Sequence, residues 1–361
     1  MRVAITGATG NVGTRLVDRL LAEPSVTEVV GIASRLPSVP QRDRVRYVKV
    51  DLGAADAGTR LAASLSGVDA VVHLAWLLQP SREPEVMERV NIGGTRAVLD
   101  AVVSARVGAL VHASSVGAYS PQPKTPAVKE DAPTEGIETS SYSRHKARAE
   151  RMIEAFTAEH PDVRVVQIRP ALVLQRSAST EQARYFLGRL VPHRIVNRRL
   201  LTAVGVLPLP DAFTTQVVHA ADIADLFARA VLDPRARGTY NGAAEPVLDP
   251  PTIAAALGVR RVRIPLAPVR VLADATWHAR IQPTDPGWVD IASQTPLMDS
   301  SRARDELGWR PTHDARATLL EALDGVADGS GSGTPPLRGR QTDPAAVLKT
   351  VRSVIGSFTR R

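Results

Sequence analysis

The chain has 361 residues, is 44% hydrophobic and 23% charged, and carries a formal net charge of +8. That length and balance suit a large α/β domain with a smaller lobe attached. The absence of cysteine excludes disulfides, thiolate nucleophiles and cysteine metal sites, and fits a cytoplasmic protein.

No stretch is long and apolar enough for a membrane span. The first residues read as a strand, with no separate apolar signal core ahead of them. The basic excess is spread along the chain beside many acidic residues, and aromatics make up only 4%. Single-strand nucleic-acid binders interleave basic and aromatic residues, and no such stripe exists here, so nucleic acid is not expected as a partner.

Arg2 to Thr6 forms a short apolar strand that runs into Gly7-Ala8-Thr9-Gly10-Asn11-Val12-Gly13. Val12, Leu16, Val17, Leu20 and Leu21 then repeat with helical spacing. A Gly-x-x-Gly-x-x-Gly run between strand and helix reads as a cradle for a dinucleotide pyrophosphate. Gly7 and Gly10 permit a tight turn close to phosphate, Gly13 permits close helix–strand packing, and the helix start offers free N–H groups to the anion.

Further strands are expected at Glu28–Ala33, Val45–Leu52, Ala70–Ala75, Ala109–Ser115 and Val163–Pro170, with helices over Pro84–Ser104 and Tyr142–His160. Alternation of this kind predicts a doubly wound parallel sheet over residues 1–170. Residues 171–325 read as late sheet elements mixed with a smaller substrate-binding lobe. Residues 326–342, with Ser330-Gly331-Ser332-Gly333-Thr334-Pro335-Pro336, read as a flexible linker. Residues 343–361 read as an amphipathic helix, with Val347, Leu348, Val351, Val354, Ile355 and Phe358 on one face.

Tyr142 and Lys146 stand four apart, on one face of the expected helix. Ser115 ends the expected fifth strand, at the same sheet edge as the glycine turn. Interconverting an alcohol and a carbonyl by hydride transfer requires a proton moved to or from the oxygen. A phenol with pKa near 10 is a poor base at neutral pH. A lysine cation and a positive nicotinamide would favour the phenolate. A serine hydroxyl holds the substrate oxygen. His73, His112 and His219 lack metal-ligand spacing and read as structural, so no metal site is expected.

With these pieces in order, the chain resembles the extended short-chain dehydrogenases/reductases, the NAD-dependent epimerase/dehydratase group. The resemblance spans about residues 1–325. It rests on Thr6–Gly13, Val50-Asp51-Leu52, His73-Leu74-Ala75, Val90–Thr95, Ser114-Ser115 and Tyr142…Lys146. It continues through Arg169-Pro170, Val217–Asp222, Asp299–Arg302 and Leu307–Pro311. It implies a Rossmann fold and a homodimer built on paired long helices. It also implies Ser115, Tyr142 and Lys146 as catalytic residues. Gly7, Thr9, Gly10, Asn11, Val12 and Gly13 are then cofactor contacts. Asp51 and Leu52 lie on the adenine side. Leu74, Ala75 and Trp76 line the cofactor's middle, Asn91 lies near the nicotinamide ribose, and Pro170 and Ala171 complete the site.

At the end of the second strand, where NAD binders usually carry an acid, stand Ala33-Ser34-Arg35-Leu36. Ser34 and Arg35 suit a 2′-phosphate, so NADP(H) is favoured, with NAD the alternative. Val116-Gly117 replaces the Asp-Glu pair of the family's sugar dehydratases, which argues against dehydration. Ala171 to Leu174 and Thr215-Gln216 lack the asparagine, Gly-Pro and arginine of nucleotide-sugar binders. Arg176, Arg184, Arg189 and Arg194 are the cations that remain for a diphosphate. Trp76-Leu77-Leu78-Gln79-Pro80, the segment around Phe186, Leu187, Leu190 and Val191, and Trp277 point to an apolar substrate wall. The expectation is a reductase or dehydrogenase for a small or medium-sized, apolar carbonyl compound. An epimerase using transient oxidation is the alternative, and a non-catalytic NADP(H)-binding regulator the second.

Overall fold

The computed structural model describes residues 1–38, 42–79, 82–186 and 198–339. The elements of the first half are β1 (Arg2–Thr6), α1 (Asn11–Leu21), β2 (Glu28–Ala33), β3 (Val45–Lys49), α2 (Ala57–Ser64), β4 (Ala70–His73), α3 (Pro84–Glu88), α4 (Gly94–Ser104), β5 (Ala109–Ala113), α5 (Ser141–Glu159) and β6 (Arg164–Pro170). There follow β7 (Leu172–Leu174), α6 (Ser179–Phe186), α7 (Arg198–Val204), β8 (Val206–Leu209), β9 (Val217–His219), α8 (Ala220–Leu232) and β10 (Gly238–Gly242). The last are α9 (Pro250–Leu257), β11 (Arg260–Arg263), α10 (Leu266–His278), α11 (Gly287–Gln294), α12 (Ser301–Leu307) and α13 (Ala315–Asp328).

Seven parallel strands form one sheet in the order β10-β6-β5-β4-β1-β2-β3. Successive side chains of a strand face opposite sides, and both sides are covered. Val3, Ile5, Val72 and Val111 pack with Leu16, Leu20 and Phe227 of α1 and α8. Ala4, Val71 and Leu110 pack with Leu61, Val98 and Ile153 of α2, α4 and α5. This is the doubly wound Rossmann arrangement. From β1 the chain runs to β2 on one side and reaches β4 on the other. The carboxyl ends of β1 and β4 therefore flank the switch point where such sheets bind ligands.

Three expected strands stop short. β3 ends at Lys49, β4 at His73 and β5 at Ala113. Asp51 and Leu52, Leu74 to Trp76, and Ser114 and Ser115 therefore leave the ladder at that carboxyl edge. The expected helix over Pro84–Ser104 is α3, a π-helical turn at Arg89–Gly93, and α4. π turns concentrate at functional sites, and this one contains Asn91.

The small sheets β7–β9 and β8–β11 carry the second lobe. The described part of the expected linker does not run free. Leu337 is fully buried. Thr180 Oγ1 donates to Ser330 O at 2.5 Å and Arg184 Nη2 to Pro336 O at 2.7 Å. These contacts with α6, and the turn bond from Leu337 N to Thr334 O at 3.1 Å, pin the segment. The helix expected over 343–361 lies outside the described residues. No described helix is long and apolar enough to cross a membrane.

Candidate active site

A cleft of about 1190 Å³ opens along the carboxyl edge of the sheet. Its floor is the glycine turn. Gly7 has φ +75°, and a Cβ there would lie 2.8 Å from Ala75 N. A Cβ on Gly13 would lie 2.2 Å from Gly7 O, so β1 and α1 meet as expected only with glycine there. Gly10 caps α1 with no side-chain bond, and the first turn holds no acidic residue. The N–H groups of that turn remain for an anion. The cradle thus fits a pyrophosphate.

Thr9, Asn11, Val12, Ser34, Arg35, Asp51, Leu52, Leu74, Ala75, Trp76, Pro170 and Ala171 all line this cleft, with Gly7, Gly10 and Gly13. Ser34 and Arg35 are exposed at the end of β2. Asn11 also ties α1 to the second lobe. Its Nδ2 donates to Val173 O at 3.0 Å, and its Oδ1 accepts from Gln175 Nε2 at 2.8 Å. Asn91 does not itself line the cleft. Its Oδ1 accepts from Leu77 N at 2.7 Å and its Nδ2 donates to Leu77 O at 2.9 Å, so both ends of its amide clamp the loop after β4.

Ser115, Tyr142 and Lys146 converge on the cleft. Ser115 starts a short turn beyond β5, where its Oγ accepts from Gly117 N at 3.0 Å. Ser140 caps α5 through a bond from Ser143 N at 3.3 Å, which fixes the first turn carrying Tyr142. Burial pushes the Tyr142 phenol above its ordinary value, and a hydrogen bond shared with Ser115 pulls it part of the way back. Lys146 is buried and donates to Ala113 O at 2.8 Å. Burial lowers it to about 7, opposed by the charge of Glu150.

Apolar side chains close the far walls: Leu77 and Leu78, Leu207 and Leu209, Phe213 and Leu257. Arg35 and Lys146 are the only cations among the described lining residues. Arg176 pairs with Asp328, and Arg184 is committed to Pro336. Gln216 is bonded through both ends of its amide to Met298. Pro80, Leu187, Arg189, Leu190, Val191 and Arg194 lie outside the described residues. Trp277 does not line the cleft; its ring is covered by the Arg82 guanidinium at 3.5 Å. The aromatic wall is Trp288 of α11, which sequence reasoning missed. Glu181 and Tyr185 of α6 were also missed. They line the cleft, bonded to each other at 2.8 Å, within the field of Arg35.

Two of the three histidines are held by hydrogen bonds, and neither ring nitrogen of the buried His112 has a hydrogen-bond partner among the described residues. His73 Nδ1 is 2.7 Å from Thr6 Oγ1 and Nε2 is 3.1 Å from Thr95 Oγ1. His219 Nδ1 accepts from Ala221 N at 3.2 Å. Among the described residues no group of three or more His, Asp or Glu is placed to hold a metal.

Residues 3–242 match the NAD dependent epimerase/dehydratase family. The chain belongs to this family. It is 29% identical over 321 residues to the uncharacterized protein Rv2047c of Mycobacterium tuberculosis, covering 88% of this chain but 29% of that protein. The chain thus spans less than a third of that relative's length. The UDP-glucose 4-epimerase of Mycolicibacterium smegmatis is 32% identical over 166 residues, 43% of this chain and 51% of that enzyme. DesIV, the dTDP-glucose 4,6-dehydratase of Streptomyces venezuelae, was solved with NAD bound. It shares the fold with a TM-score of 0.66 and 23% identity, covering 94% of this chain and all of that one.

Proposed function

We propose that this family member moves a hydride between a bound nicotinamide dinucleotide and a hydroxyl-bearing carbon of a small molecule. The observation that carries this reading is the convergence of Ser115, Tyr142 and Lys146 on the cleft that the glycine cradle floors. A nicotinamide dinucleotide, when bound, supplies the hydride acceptor and donor. Ser115 holds the substrate oxygen by its hydroxyl. Tyr142 gives a proton to that oxygen, or takes one from it, at its phenolic Oη. Lys146 supplies positive charge that favours the phenolate when the proton leaves. The apolar walls keep water from the reacting carbon.

Among outcomes of that chemistry, the epimerase in the family comparison supports a cycle in which the hydride returns to the substrate. It supports this more than it supports the net reductase expected from the sequence. The apolar far walls favour the reductase as a second reading, with an apolar ketone as substrate. Dehydration is disfavoured by chemistry and by space. Val116 and Gly117 provide no carboxylate, and a Cβ on Gly117 would lie 3.0 Å from Tyr142 Cε1.

The lack of an acid at the end of β2, with Ser34 and Arg35 exposed there, supports NADP(H); DesIV carries NAD. Calorimetric titration with both oxidised dinucleotides tests this. Tighter NADP⁺ is expected, and tighter NAD⁺ overturns it. Hydride transfer is tested with deuterium-labelled reduced cofactor and a panel of nucleotide sugars and cyclic ketones. Net oxidation of the cofactor marks a reductase. Inversion of a sugar carbon without net oxidation marks an epimerase. Neither activity in folded, cofactor-bound protein overturns the hydride reading.

A further inference from the structure

Lys146 has few partners to keep it charged. Its Nζ donates to Ala113 O at 2.8 Å. Glu150, one turn along α5, is the carboxylate that acts on it. That carboxylate is itself committed, accepting from Arg169 Nε at 2.8 Å and Nη2 at 2.7 Å, and from the Ser114 hydroxyl. From β4 and β5, His73 and His112 lie within its field, and burial holds both neutral. A further neighbour is an aromatic face. Lys146 Nζ sits 3.5 Å from the centroid of the Trp76 ring. That indole also stands edge-on to Tyr142, with centroids 6.4 Å apart and planes at 81°. Its Nε1–H is buried, with no hydrogen-bond partner among the described residues, so no bond of its own fixes the ring there.

We propose that Trp76 is a positioning residue whose ring face holds the Lys146 ammonium in place beside Tyr142. The inference rests on the reading of Tyr142 and Lys146 as working groups. An ammonium over an indole face is drawn by the ring's quadrupole, most strongly where water is excluded. An aliphatic cover would exclude water equally but attract nothing. The two roles predict opposite signs. If the indole attracts, replacing it with an aliphatic chain makes the charged lysine less favourable. If it only keeps water out, the smaller chain admits water and the charged lysine becomes more favourable.

The chain has five lysines, Lys49, Lys124, Lys129, Lys146 and Lys349. Protein labelled with [ε-13C]lysine therefore gives a spectrum simple enough to titrate, with Lys146→Met assigning the resonance. In the wild type burial is expected to bring the Lys146 midpoint down to about 7. In Trp76→Leu its midpoint falls by about one pH unit. In Trp76→Phe, which keeps a π face, it stays near the wild-type value. Trp76→Met serves as a second aliphatic variant if Trp76→Leu does not fold. A midpoint that rises or does not move in folded aliphatic variants overturns the proposal. The titration uses neither cofactor nor substrate, so its failure is separate from failure of the hydride-transfer reading.

Discussion

The ring of Trp288 lies against the ring of Tyr142, with centroids 5.0 Å apart and planes tilted by 33°. The phenol is thus packed by an aromatic residue 146 positions later in the chain, from α11. The helix start carrying Trp288 is itself seated tightly. A Cβ on Gly287 would lie 2.6 Å from Thr139 O, next to the Ser140 cap of α5. The start of α11 therefore shapes the surroundings of the Tyr142 phenol.

Tyr142→Phe removes the phenolic oxygen and leaves that ring packing in place. The expected result is a fall in the rate of hydride transfer of about 10²–10⁴-fold. Dinucleotide affinity, measured by calorimetry, stays near the wild-type value. An unchanged rate would remove Tyr142 from its proposed role.

Gly117→Ala tests the spacing between the serine turn and the phenol. The new methyl group would stand 3.0 Å from Tyr142 Cε1 and 3.3 Å from Cδ1, so the ring must give by a few tenths of an ångström. Reaction geometry is sensitive to shifts of this size, and a fall in kcat of about tenfold is expected. The melting temperature should change little, because the ring borders an open cleft. Equal kcat in the variant would mean that the ring position is not critical.

Much of this site was legible in the sequence because its signals are local. Gly7, Gly10 and Gly13 announce themselves by spacing, and Tyr142 and Lys146 fall on one helix face by spacing alone. What was missed depends on contacts between distant residues. Trp277 and Trp288 sit in a segment with no regular periodicity, so nothing local distinguishes the one under Arg82 from the one against Tyr142. Ser330 to Pro336 has the composition of a free linker, and only its contacts with Thr180 and Arg184 fix it. The apolar repeat from Pro84 to Ser104 conceals a π turn, since one extra residue barely disturbs the pattern. Asn91 carries a family position, but the backbone of Leu77 takes up its amide.

Lys124 offers a pH-dependent test of how α11 is held. Its Nζ donates to Ala292 O at 3.1 Å and Thr295 O at 2.7 Å, at the carboxyl end of that helix. Burial lowers Lys124 to about 8, whereas an unfolded lysine titrates at about 10.4. Between those values the unfolded chain binds the extra proton, so raising the pH stabilises the folded state. Below about 8 both states are protonated and the contribution is flat. Chemical denaturation of wild type and Lys124→Met should therefore diverge in favour of wild type as pH rises from about 8 to about 10. Parallel curves across that window would refute the assignment.

Glu150 and Arg169 form the buried ion pair beneath the site, with side chains 0% and 4% exposed. Arg169 also donates through Nη1 to Tyr119 Oη at 2.9 Å and to Glu130 O at 2.7 Å, so its guanidinium is enclosed by acceptors. Removing one partner leaves an uncompensated charge in a dry interior, at a cost of about 3–5 kcal/mol. Glu150→Gln is isosteric yet takes away the negative charge that both Arg169 and Lys146 feel. Two effects are expected. Urea denaturation should show a loss of stability of that order, and the Lys146 midpoint should fall below its wild-type value. Glu150→Leu combined with Arg169→Met removes both charges and should recover most of the stability while leaving the Lys146 midpoint low. If the double variant is no more stable than Glu150→Gln, packing rather than charge compensation accounts for the pair.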